Sequence, residues 1–144
     1  MRSLVIFGLL ALAAVTSGDE PGFRYSAISG ADRTQFASRV TDEALAKAPV
    51  WSPDAGAPPL TPRGAQQIAF RQLSQSVKDP KQWDLQEIGL VDTGDHLHWI
   101  YVVHYMRHYP DDMAVFGADL FNIVVLMDGT SIKPEVLHVE SEAK

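Results

Sequence analysis

The chain has 144 residues, with 12 Lys and Arg against 18 Asp and Glu, a net charge of −6 and no cysteine. Nucleic acid and anionic membrane surfaces are held by clustered cations that release counterions, and no five-residue window here carries such a cluster. The missing cysteine excludes a disulfide framework, a thiol nucleophile and a thiol-borne lipid anchor.

Residues 1–17 read as a signal peptide. Arg2 is the only charge, an apolar run fills positions 4–15, and the small Thr16, Ser17 and Gly18 precede Asp19 and Glu20. The run is about a dozen residues, short of the roughly 20 that a membrane-crossing helix needs. The expectation is a cleaved export leader and a periplasmic or secreted mature protein of about 125 residues, one domain in size and free of the membrane.

Residues 18–59 mix Gly, Ser and Pro with a weak helical pattern over 33–48, so an irregular, partly helical segment is expected. Thr41 can cap a short helix ahead of Asp42 and Glu43, and Pro49 disfavours helix at Ala48. The stretch 51–59, with Pro53, Gly56, Pro58 and Pro59, reads as a crossing loop in which Trp51 folds back over the core.

Thr61 then offers an N-cap hydroxyl and Pro62 a first-turn residue. Ala65, Ile68, Ala69, Leu73 and Val77 follow at helical spacing, and Asp79 and Pro80 end the helix. Its outer side, with Arg63, Gln67, Arg71 and Gln75, is expected to stay wet. Beyond it the period falls to two and β-branched and aromatic residues accumulate over 83–91, 98–105, 120–127 and 130–136. Turns are expected at 92–95 and at Asp128-Gly129, a long loop at 109–119, and a last strand that is at a sheet edge or ends at Pro134. One helix followed by consecutive hairpins predicts an α+β domain over residues 60–144, with the amphipathic helix packed on a four-stranded antiparallel meander.

Three sets of residues carry a resemblance: Thr61 with Ala65 and Ala69 on the helix, Trp99-Ile100-Tyr101-Val102-Val103, and Val124-Val125-Leu126-Met127 running into Asp128-Gly129. In this order they resemble the PepSY-type modules of exported bacterial proteins, whose helix-on-meander fold is loosely similar to that of cystatins. The resemblance covers about half of the mature chain. It implies a non-catalytic role, in which the module restrains a protease or recognises a protein or peptide partner outside the cytoplasm. The sequence departs from that pattern in carrying an extra segment around Trp51 and in showing no attached protease or transmembrane helices; a free-standing module meets its partner by diffusion, which leaves the more general binding role as the expectation.

Two groups of residues could form a site. His96 and His98 would share one face of a strand about 7 Å apart, a spacing at which both imidazoles reach one zinc or copper ion. His104 lies on the same face but too far along to join, so a third ligand would come from Asp92, Asp95 or His138. Solvated histidines are the alternative, and no other cofactor is expected. The second group is Tyr109, Met113, Val115 and Phe116, which give the long loop an apolar tip suited to partner binding. Trp83, Trp99, Tyr101 and Tyr105 could form a stacking platform, but small Ala65 and Ala69 opposite favour them as core. Catalysis has no motif: there is no Gly-x-Ser-x-Gly elbow, no His-Glu-x-x-His helix and no phosphate-cradling glycine loop. A small hydrolase assembled from residues distant in sequence stays open.

Overall fold

The computed structural model describes residues 23–109 and 119–139, without the side chains of the last two. The signal-peptide reading of 1–17 lies outside these residues. The fold is α+β, with six strands in two antiparallel sheets and one main helix. Among the described residues no helix is long and apolar enough to cross a membrane.

The segment expected to be irregular opens instead with two strands, β1 (Phe23–Ala31) and β2 (Thr34–Thr41), paired in register from Ala31↔Thr34 outward. Asp32 and Arg33 make the two-residue turn with φ of 50° and 61°, the left-handed pair that suits a tight hairpin. Thr41 then caps the short helix α1 (Asp42–Ala46), its hydroxyl accepting the Ala44 N–H at 3.1 Å. Trp51 does fold back: it is 8% exposed, stands edge-on to Trp99 at 6.3 Å, and donates from its indole N–H to the Gly56 carbonyl.

Helix α2 (Pro62–Ser76) begins where expected, with the Thr61 hydroxyl accepting the Gly64 N–H at 3.1 Å and Pro62 in the first turn. Strands β3 (Trp83–Asp92), β4 (Trp99–Arg107) and β5 (Leu120–Leu126) form an antiparallel meander. One face of it, with Tyr101, Val103, Tyr105, Phe121, Ile123 and Val125, packs on Ala65, Ala69 and Leu73 of α2. Small residues on the helix let it lie close to those large rings.

The opposite face is also covered. Ile100, Val102, Val124 and Leu126 pack with Ala27, Val40 and Leu45 from the β1–β2 hairpin and α1, so β4 and β5 are apolar on both sides. The hairpin also reaches round to the helix side, where Ala31 and Phe36 join the first cluster and Phe36 meets Phe121 at 5.3 Å.

The fourth meander strand is not formed as expected. After the Asp128-Gly129 turn (Gly129 φ 87°), Leu126 N–H donates to Thr130 O and Ile132 N–H to Val124 O, a short return along β5. Pro134 has no N–H to continue that ladder. The chain crosses instead to pair with β2 as β6 (Glu135–Val139), giving the second sheet the order β1-β2-β6.

Candidate functional site

Of the histidines expected on one strand face, His96 and His98 lie in the loop between β3 and β4, and only His104 stands on a strand. Asp92 Oδ1 accepts the N–H groups of Gly94 and His96 at 2.9 and 3.0 Å, while Asp95 Oδ1 accepts those of Leu97 and His98 at 2.8 and 2.7 Å. These bonds wind residues 93–98 into a longer loop than the four-residue turn expected, and His96 takes a φ of 59°. A strand-borne pair at strand spacing is therefore not formed. His96 Nδ1 bonds Asp92 Oδ2 with the ring almost wholly exposed; His98 Nδ1 bonds Asp95 Oδ2 at 2.6 Å with its side chain 18% exposed. The result is two separate Asp–His pairs. Backbone and imidazole donors lower both carboxyls, the Gly94 N–H leading at Asp92 and the His98 ring at Asp95.

His104 is engaged elsewhere. Its Nδ1 stands 2.6 Å from Asn122 Oδ1, and the Asn122 amide nitrogen donates to the Ile28 carbonyl at 2.7 Å, so the Nδ1 hydrogen is the one that fills the first contact. His108 lies 3.6 Å from Asp84 on the surface. Among the described residues no three His, Asp or Glu converge as a metal would require.

Of the loop residues expected to bind a partner, only Tyr109 is described; Met113, Val115 and Phe116 lie outside the described residues. Tyr109 is fixed from two sides, its hydroxyl donating to Asp119 Oδ2 at 2.9 Å and its ring lying 5.3 Å from the Arg107 guanidinium. Burial and the Asp119 carboxylate push its phenol up. Arg107 also bonds Asp32, Asp119 and Gln82, which ties the β1–β2 turn to the ends of β4 and β5. The aromatic set resolves as core, with Tyr101 and Tyr105 each 2% exposed and Trp83 6% exposed.

A different surface emerges on α2. Residues 55–78 hold three cations, Arg63, Arg71 and Lys78, and no acid, in a chain of net charge −6. The buried side of α2 is Ala65, Ala69, Gln72 and Leu73, so Arg63, Gln66, Gln67, Phe70 and Arg71, at positions i, i+3, i+4, i+7 and i+8, make one outward stripe. Among the described residues these five side chains line an open concavity of about 790 Å³. Phe70 is 43% exposed, and among the described residues neither arginine has an ion-pair partner. The stripe was legible only as a wet helix face. Its signals were the missing acids and a phenylalanine out of phase with Ala65, Ala69 and Leu73.

Comparisons with protein families, with curated proteins and with solved structures found no match.

Proposed function

We propose that this chain works outside the cytoplasm as a non-catalytic module that binds a protein or peptide partner, with the outward stripe of α2 as its contact face. The observation that carries the reading is Phe70, a large ring left open to solvent on a stripe with two guanidinium groups that have no ion-pair partner among the described residues. Aromatic and arginine side chains on a rigid element are the types that dominate binding surfaces, and a helix packed on a sheet presents them at little conformational cost. The leader-like residues 1–17 and the PepSY-like order of elements support an exported binding role. Tyr109, held by Arg107 and Asp119, would add a second contact point beyond the end of β4.

A photo-crosslinking amino acid in place of Gln67 tests this in the producing cell, with the same group at exposed Lys47 as control. The expected result is a discrete protein adduct from position 67 that position 47 does not give. No adduct from 67, or equal adducts from both, overturns the reading.

A second reading, zinc or copper held by His96 and His98, is favoured by one observation: each ring has a carboxylate behind its Nδ1, the arrangement that turns Nε2 towards a metal. Elemental analysis of protein purified without tags or chelators decides it. About one equivalent of metal, lost on His96→Ala with His98→Ala, supports a site, and metal-free protein after incubation with either ion removes it.

A further inference from the structure

We propose that the occupant of the α2 face is an extended acidic peptide segment, gripped at two carboxylates by Arg63 and Arg71 with an apolar side chain between them against Phe70. This rests on the reading of α2 as the binding face and adds the chemistry of the partner. The argument starts from the placement of Arg63. It stands in the first turn of α2, where no acidic residue accompanies it. That end of a helix carries positive partial charge and favours anions, so a guanidinium there is poorly placed until an anion arrives. A carboxylate in front of Arg63 is attracted by the side chain and by the helix end together.

Arg71 supplies the second contact. Eight residues at 1.5 Å of rise and 3.6 per turn put it about 12 Å farther along and about 80° round the helix, within the outward stripe. In an extended peptide, side chains at positions n and n+4 point the same way and lie about 13 Å apart. Two acidic residues with that spacing therefore meet both arginines at once when the peptide crosses the helix obliquely, and the residue midway between them faces Gln67, from where an apolar side chain can reach Phe70 one turn on. Gln66 and Gln67 provide amide donors and acceptors for the peptide backbone. The rest of the molecule selects against other polyanions. Two cations separated by about 12 Å neutralise few phosphates, and a nucleic acid or anionic bilayer would also meet the net negative charge of the protein.

The test uses the full chain, labelled with ¹⁵N, and three short peptides of equal length. One has two glutamates four positions apart around a central leucine, one has glutamines in their place, and one has lysines. The expected result is that only the acidic peptide shifts the α2 amides, and that Arg63→Ala with Arg71→Ala weakens its binding about tenfold. Both arginines are exposed, and an unchanged spectrum elsewhere establishes that the variant is folded. Equal binding of the glutamine peptide on the same amides overturns the acidic specificity while leaving α2 as the face. If no peptide shifts α2, the proposal fails and the crosslink from position 67 judges the face separately. Arginine-dependent binding of a sulfated polysaccharide or phosphatidylglycerol vesicles, with none of the acidic peptide, overturns it in favour of that other class.

Discussion

Tyr101 and Tyr105 stand on the same face of β4, equally buried, and differ by one hydrogen bond. The Tyr101 hydroxyl donates to the Leu60 carbonyl at 2.7 Å, which pins the chain entering α2. The Tyr105 hydroxyl is buried without a partner among the described residues, and burial pushes its phenol up to about 12. Removing a bonded hydroxyl costs about 1 kcal/mol, whereas removing an unsatisfied one also removes its desolvation penalty. Tyr101→Phe should therefore lower unfolding stability by about 1 kcal/mol, and Tyr105→Phe should leave it unchanged or raise it. Urea unfolding followed by tryptophan fluorescence measures both, and an equal loss in the two variants would mean that the Tyr105 hydroxyl has a partner. At the same scale, Asp95 makes stability depend on pH. The His98 ring, then the His98 and Leu97 N–H groups, hold its carboxyl well below the usual carboxylate range. A depressed carboxyl stabilises the fold above its unfolded value of about 4, and that contribution fades as pH falls below it. Wild type should exceed Asp95→Asn by a constant margin above about pH 5, and the margin should shrink steadily under acid.

Among the elements, α2 and the β3-β4-β5 meander were legible, because their periods are strong and their ends carry Thr61, Pro80 and Asp128-Gly129. The β1–β2 hairpin was not. Apart from Val40 its buried residues, Ala27, Ser29, Ala31, Ala37 and Ser38, are small, and such residues have little intrinsic strand preference. They suit a hairpin that lies close against another sheet, a requirement set by tertiary packing and absent from local pattern. Its turn is Asp32-Arg33, where a glycine would have given a signal. The histidine loop failed for a related reason: Asp92 and Asp95 each bond two backbone N–H groups, and these side-chain bonds outcompete strand pairing over 93–98. Where side-chain capping was readable, it holds. Among the described residues Thr61 is the one capping side chain at the start of α2, whose first turn has no acid to share the task. Thr61→Ala should cost about 1 kcal/mol in unfolding stability, and Thr61→Ser should recover most of it.

For the molecule as a whole, the decisive joint is the one between the two sheets. β1 and β5 belong to different sheets, yet they lie together and are joined through side chains. Ser29 Oγ accepts the Asn122 N–H at 2.8 Å, and the Asn122 amide returns a bond to the Ile28 carbonyl. Ser29 is 3% exposed, so Ser29→Ala leaves the half-buried Asn122 without this N–H acceptor and should cost about 1 kcal/mol or more. How that loss distributes tests whether the hairpin is a separate unit. It contributes Ala27 and Val40 to one cluster and Ala31 and Phe36 to the other, so lifting it away uncovers both faces of β5. The two sheets should then open together: native-state hydrogen exchange of Ser29→Ala should show the same drop in protection in β1–β2 as in the slowest amides of β4 and β5. A drop confined to β1 and β2 would instead make the hairpin an independent layer, docked on a helix-and-meander core that holds its structure without it.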